Sequence, residues 1–266
     1  MQAMEYTDMS GKDISELLVH DGWVAQQKYD GTRVLIDLQT GDALTRKGTP
    51  LKFAAANQHL DSIRADLKRV GLLGKRNVYL DGEMIVESGT YYLFDMFDPT
   101  DRKMTYQDRL AWLHSLNLDG TNIKIVATWW GDSKIKALSL LRNAGVEGMM
   151  LKRLDSLYEM GTRVTSCHKF KFVKSADVIV TETKTSPMSA SFAVYGDDGK
   201  LVPVGACSMI GKPNVERGDV IEVNYLFWTG SNLYQPRMMR RRTDKAARDC
   251  HLDQLPTYSR EEVVPV

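Results

Sequence analysis

The chain has 266 residues, 43% apolar and 26% charged, with a net charge of +1. That is the balance of an ordinary globular protein, and it neither demands nor excludes a polyanionic partner, because clustering of charge matters more than its sum. Cys167, Cys207 and Cys250 lie far apart without a Cys-x-x-Cys pair, which argues against a zinc site or disulfide framework and predicts a reduced, cytoplasmic setting. The first residues lack the basic start and apolar core of a secretory signal, and no apolar run approaches the ~18 residues of a membrane-spanning helix. No membrane partner is expected, and a monomer is the default.

In chain order, residues 24–27 and 32–38 alternate apolar and polar positions and predict two strands joined by the turn Lys28-Tyr29-Asp30-Gly31. Thr40-Gly41-Asp42 turns the chain into a further strand ending near Thr45. Residues 53–67 have helical spacing, with Leu60, Ile63 and Leu67 on one face. Strands follow at 78–80, 83–86 and 91–94, with Ser88-Gly89 as a hairpin turn. Residues 106–116 and 134–142 predict helices, and 148–152 and 169–172 strands. Beyond Lys174 come short β-rich runs at 178–183, 192–195, 201–204 and 220–226, separated by Gly, Pro and Asp turns. Such spacing predicts a small β-barrel, so two domains are expected, 1–173 and 174–266. The segments 184–191 and 211–217 read as loops.

Chemistry concentrates first in Lys28-Tyr-Asp-Gly-Thr-Arg33. A lysine beside a tight turn fits a surface hairpin, but lysine is also one of the few side chains that form covalent adducts with phosphorus or carbonyl carbon. As a nucleophile it must be neutral, and a reference pKa of ~10.4 leaves well under ~0.1% neutral at pH 7. Burial or neighbouring cations would lower that value. Lys169-Phe170-Lys171 places two lysines on one face of a strand, although lysines also serve to protect exposed strand edges. Arg237, Arg240, Arg241, Arg242 and Lys245 form the densest basic cluster, which as a bare charge run reads as a solvated face.

Seven segments in one order resemble the signature of the covalent nucleotidyltransferases: DNA ligases, RNA ligases and mRNA capping enzymes. Lys28-Tyr-Asp-Gly-Thr-Arg33 resembles motif I, and Thr45-Arg46-Lys47-Gly48 the short arginine–glycine motif that follows. Leu80-Asp81-Gly82-Glu83 resembles motif III, Tyr92-Leu93-Phe94-Asp95 motif IIIa, and Glu147-Gly148-Met149-Met150-Leu151-Lys152 motif IV. Lys169-Phe170-Lys171 resembles motif V, and Arg242-Thr243-Asp244-Lys245 motif VI of ATP-dependent DNA ligases. Each is weak alone; their order is what makes the set specific.

The resemblance implies an α+β nucleotidyltransferase (adenylation) domain of antiparallel sheets and helices, followed by a small OB-fold β-barrel that swings about a hinge near Lys174. It implies that Lys28 attacks the α-phosphate of ATP and carries AMP. Lys169 and Lys171 would neutralise that phosphate, and Glu83 and Glu147 would hold Mg²⁺, for which Mn²⁺ may substitute. Glu83 would also lie near the ribose. Phe94 would stack on adenine, Gln26 read its edge, and Arg33 and Arg46 bind the 5′-phosphate of a nick. Arg242 and Lys245 would orient the β- and γ-phosphates; Arg240 and Arg241 depart from the more apolar residues expected beside motif VI and would face DNA instead. Glu147-Gly148 favours a ligase over a capping guanylyltransferase, and the C-terminal motif favours DNA over RNA, so nicked duplex DNA is the expected partner. With 27 residues before Lys28, a minimal form is expected. The alternatives are an RNA ligase, a guanylyltransferase, or a silent duplex-binding module that keeps the fold.

Overall fold

The computed structural model describes residues 1–52, 54–74, 77–186 and 188–256, with only the backbone of 54–58. The described residues divide into two compact units, Met1–Asn143 with Gly148–Phe170, and Ala144–Glu147 with Lys171 onward. The fold is mixed α+β, with three five-stranded sheets and four α-helices among the described residues.

In the first unit the elements run β1 (Glu5–Asp8), α1 (Ser15–Val19), β2 (Trp23–Lys28), β3 (Thr32–Asp37), β4 (Ala43–Thr45) and α2 (Ala54–Arg69). There follow β5 (Tyr79–Ile85), β6 (Thr90–Phe97), α3 (Tyr106–His114), β7 (Ile123–Ile125), β8 (Thr128–Trp129), α4 (Ser133–Asn143), β9 (Gly148–Arg153) and β10 (Arg163–Lys171). One sheet has the order β1-β10-β9-β2-β8 and the other β4-β3-β5-β6-β7. The helical spacing of residues 53–67 is met by α2, which buries Leu60, Ile63 and Leu67 against Val34, Ile36 and Leu80; Phe53 itself lies outside the described residues. Helix α3 starts at a reciprocal cap, in which Thr105 and Asp108 each bond the other's backbone N–H, satisfying donors that a helix start leaves orphaned.

Two expectations change in this unit. β2 and β3 do not form a hairpin: β2 pairs with β8 and β9, and β3 with β4 and β5. The turn after Lys28 therefore carries the chain from one sheet to the other. The pieces 78–80 and 83–86 are one strand, β5, whose register slips between Asp81 and Gly82. A Cβ at Gly82 would lie 2.6 Å from Tyr91 Cζ and 2.7 Å from the Tyr92 carbonyl, so the residue between the two expected strands is glycine for lack of room.

The faces of β3 set the layers. Val34 and Ile36 point into the core with α2, while Leu35 joins Ala3 and Phe97 on the opposite face. That opposite face carries Arg33, and it is where the first sheet's residues reach across.

The second unit holds β11 (Lys174–Thr185), β12 (Met188–Tyr195), β13 (Leu201–Ser208), β14 (Val220–Tyr225) and β15 (Arg237–Arg241) in the order β13-β12-β11-β14-β15. Val178, Phe192, Val204, Ile221 and Val223 centre its core. The segment 184–191 is not a loop: it is mostly the ends of the β11–β12 ladder, paired down to Thr185 opposite Met188. Residues 211–217 do lie between strands.

Candidate active site

Lys28 ends β2 opposite Gly148 of β9, and Gln26 and Val24 precede it on the same face. Val24 packs on Tyr106 and Leu110 of α3, which fixes this face as the one turned toward the second sheet. A Cβ on Gly31 would collide with the Met84 carbonyl, so the turn after Lys28 can press on β5 only with glycine. Tyr29 stacks on Tyr92 of β6 with centroids 3.9 Å apart, and the Lys28 Nζ lies 3.4 Å from the Tyr29 carbonyl.

Behind the lysine sits a linked buried group. Gln26 is 1% exposed; its Nε2 donates to Thr128 Oγ1 at 3.0 Å, and its amide also bonds the Tyr106 hydroxyl. The Gln26 Oε1 is buried without a partner among the described residues. Tyr106 Oη donates to the Phe94 carbonyl at 3.2 Å, and Lys152 Nζ to the same oxygen at 3.0 Å. Lys152 Nζ also lies 4.5 Å from the Phe94 ring centre and 4.8 Å from that of Tyr106. Burial pushes the Lys152 pKa down. This lysine of β9 joins the two sheets at Phe94, a role its place in Glu147–Lys152 did not reveal.

Arg33 is gripped hard. Its Nε and Nη2 donate to the two oxygens of Asp81 at 2.8 and 2.6 Å, its Nη1 to the Met4 carbonyl at 2.8 Å, and Nη2 also to Tyr6 Oη at 2.7 Å. Burial works against its charge, but the Asp81 carboxylate together with the Tyr6 and Tyr158 hydroxyls outweighs it and holds the guanidinium protonated. Tyr158 Oη completes the group, donating to Asp81 Oδ2 at 2.6 Å. The guanidinium carbon lies 5.4 Å from the Phe94 ring centre, so Arg33 and Phe94 belong to one site. Cys167 stands in the same region of charge, its thiol pushed up to about 12 by burial. Lys169 Nζ is 3.7 Å from Asp8 Oδ2. Arg46 is exposed in the loop after β4, and Glu83 faces Tyr92 across the β5–β6 ladder.

The second unit holds the other expected residues. Lys171 Nζ lies 3.1 Å from Glu147 Oε1 and 3.3 Å from Gln235 Oε1, and Glu147 is 3% exposed. Arg242 bonds Asp177 through Nη1 and Asp244 through Nε and Nη2, and Lys245 Nζ donates to Asp177 at 2.9 Å. The Arg242 hydrogen bonds hold the Asp244 carboxyl down to about 2. Arg240 and Arg241 are paired with Glu222 and Asp219 at 2.7 and 2.6 Å. The cluster that reads as bare positive charge is thus laced with acids that sequence spacing does not connect to it.

No family profile matches the chain. Its fold is that of solved DNA ligases. It aligns with the ligase domain of M. tuberculosis LigD over 93% of this chain and 97% of that one, at 22% identity and a TM-score of 0.53. With a Lig E DNA ligase, described as binding DNA with a minimal scaffold, the coverage is 91% and 100%, at 15% identity and a TM-score of 0.62. In sequence, the chain is similar to the multifunctional non-homologous end joining protein LigD of Mycolicibacterium smegmatis, 27% identical over 215 residues, which cover 73% of this chain and 26% of that protein. The LigD of Mycobacterium tuberculosis is 27% identical over 179 residues, 59% of this chain and 22% of that protein. The chain spans about a quarter of the length of these curated relatives.

Proposed function

We propose that the chain is an ATP-dependent DNA ligase that seals nicks in duplex DNA through AMP carried on Lys28. The observation that carries this reading is one cluster of side chains in the first unit: a lysine at the end of β2, a buried Gln26 amide oxygen beside it with no partner among the described residues, and Phe94 linked to Gln26 through Tyr106. A buried acceptor next to an aromatic face suits adenine, whose exocyclic amine donates and whose ring stacks. The likeness to LigD in sequence and to DNA ligases in fold supports the same reading.

The chemistry runs in three displacements. The Lys28 amine attacks the α-phosphorus of ATP through its nitrogen lone pair, forming a nitrogen–phosphorus bond as pyrophosphate leaves and the nitrogen gives up a proton. A 5′-phosphate oxygen of the nick then attacks that phosphorus, and the bond to Lys28 breaks as the departing nitrogen takes a proton back. The 3′-hydroxyl, losing its proton, attacks the 5′-phosphorus and expels AMP. Such transfers depend on in-line placement and charge neutralisation, the tasks assigned to Lys169 and Lys171, with Arg33 and Arg46 on the nick. Four of the five Arg33 N–H groups are already committed, so its phosphate contact would be single rather than a fork. Arg242 and Lys245 would take the β- and γ-phosphates by exchanging Asp177 and Asp244 for them.

No cluster of three or more His, Cys, Asp or Glu occurs among the described residues. A hard ion keeps most of its waters and takes one or two carboxylates with substrate phosphates. Glu83 and Glu147 would hold Mg²⁺ or Mn²⁺, which when bound would neutralise phosphate charge. The proposed domains are 1–173 for adenylation and 174–266 as an OB-fold. Leu233 N–H donates to Val204 on edge strand β13 at 2.8 Å, a contact that supports a barrel partly closed by the segment before β15. A monomer on nicked duplex is the proposed working form.

The test is protein stripped of AMP, given Mg²⁺ and α-labelled ATP or GTP, then nicked DNA. Label from ATP alone, absent in Lys28→Met and chased into sealed DNA, is expected. Label from GTP moves the protein to the capping branch, discharge only onto RNA makes it an RNA ligase, and no label with intact DNA binding makes it a silent duplex-binding module.

A further inference from the structure

We infer that Tyr6 is a positioning residue for Arg33, and that the strand bearing it sets several phosphate-binding side chains at once. The inference rests on the proposed reading of Arg33 as a ligand of the nick's 5′-phosphate.

Tyr6 engages the guanidinium twice. Its hydroxyl oxygen accepts from Nη2 at 2.7 Å, and its ring face lies 4.4 Å from the guanidinium carbon. The Met4 carbonyl, two residues earlier, takes Nη1 at 2.8 Å. With Asp81 on the other edge, the plane of the group is fixed, and one Nη1 hydrogen is left for a phosphate oxygen. Burial pushes the Tyr6 phenol well above its ordinary range, so it stays neutral and adds no charge to repel a phosphate. A guanidinium held before the substrate arrives loses less rotamer freedom on binding than one that must be ordered then.

The same short segment reaches two further expected residues. Ala3 N–H donates to the Arg46 carbonyl and Met9 N–H to the Lys169 carbonyl, both at 3.0 Å. Asp8 faces the Lys169 ammonium. β1 pairs in parallel with β10, but its register jumps between Tyr6, opposite Val164, and Thr7, opposite His168. A break of this kind re-aims side chains and recurs beside functional sites.

The experiment compares the protein with Tyr6→Phe and Tyr6→Leu in three assays. These are Lys28 adenylation from labelled ATP, AMP transfer from pre-adenylated protein to nicked duplex, and binding of nicks ending in 5′-phosphate against 5′-hydroxyl. Phe keeps the ring and removes only the oxygen, so it should fold as the parent does; thermal melting checks both variants. Tyr6→Phe is expected to leave adenylation within about twofold and to slow AMP transfer about tenfold or more, the usual effect of losing a hydrogen bond to a charged group. Its preference for the 5′-phosphate should shrink too. In an Arg33→Lys background, which keeps a cation opposite Asp81, Tyr6→Phe should add little, because the two act as a unit.

Wild-type AMP transfer in Tyr6→Phe overturns the inference, as does equal slowing of adenylation and transfer, or effects that multiply with Arg33→Lys. If the parent takes no label at all, the ligase reading fails separately. The 5′-phosphate preference then decides for Tyr6: lost on Tyr6→Phe, the inference stands; absent from the parent, it falls.

Discussion

The two units carry their positive charge in different ways. In the first, Arg33, Arg109 and Lys152 are sunk among carboxylates, carbonyls and rings; the Arg109 and Asp95 side chains are 1% and 0% exposed. In the second, the basic residues at the end of β15 meet acids at the surface; the Arg240 and Arg241 side chains are 60% and 50% exposed. Burial makes the first kind costly to break, because a lost partner strands a charge out of water. Solvent makes the second kind cheap to exchange. A site proposed to hold a nucleotide in one geometry is built from the costly kind, whereas Arg242 and Lys245, 19% and 26% exposed against an Asp177 that is 13% exposed, stand between the two kinds.

The comparison is best broken at Arg109, where the largest effect is expected. Arg109→Met leaves Asp95 buried beside the Met104 and Ser156 carbonyls that Arg109 also holds. A loss of about 3–5 kcal/mol is expected in urea unfolding; a loss below about 1 kcal/mol would place this pair with the surface ones.

A middle-sized test uses the thiols. Burial pushes Cys167 up to about 12 in the first unit and Cys250 to about 11 in the second. Both folded values are raised, so the native thiols keep protons that the unfolded chain releases. Stability from this source is present below the unfolded pKa and drains away as pH rises toward the folded ones. Alkylation of the native protein in steps of rising pH, read by mass spectrometry, should mark Cys250 before Cys167, and both should react at once in denaturant. The reverse order would contradict the higher position of the Cys167 thiol. At the small end, Arg240→Ala and Arg241→Ala should each change unfolding free energy by no more than about 1 kcal/mol; a larger cost would mean these surface pairs are fixed parts of the unit.

Local pattern was legible and long-range pairing was not. The face Leu60, Ile63 and Leu67 needed only the helical repeat, and α2 buries it. The turn at Lys28–Gly31 reads as a hairpin because nothing nearby tells a chain that crosses between sheets from one that returns. Asp81-Gly82 reads as a break because a glycine chosen for crowding looks like one chosen for a turn. In the site, the residues with distinctive neighbours in the chain, such as Lys28, Phe94 and Lys169, could be picked out. Their partners could not: Tyr6, Asp8 and Tyr158 stand in plain surroundings, and only the fold brings them to Arg33, Lys169 and Asp81. Lys152 and Asp81 lie inside the motif-like segments 147–152 and 80–83, and burial, which the local sequence does not show, is what gives them their roles.

The parallel pairing of β1 with β10 has a consequence for how the protein is made. Met4 N–H bonds Tyr158 across 154 residues, and the Thr7 hydroxyl bonds Val164 across 157. At a synthesis rate of about 5–20 residues per second, the first strand waits roughly 8–30 s on the ribosome before its partner emerges. Contacts of such separation form late because loop closure precedes their reward. The seating of β1 against β10 is therefore among the last features of the first unit to assemble, although the contacts of Met4 and Tyr6 with Arg33 span only 29 and 27 residues. A nascent chain stalled before β10 carries Lys28 and Phe94 but lacks the strand that β1 pairs with.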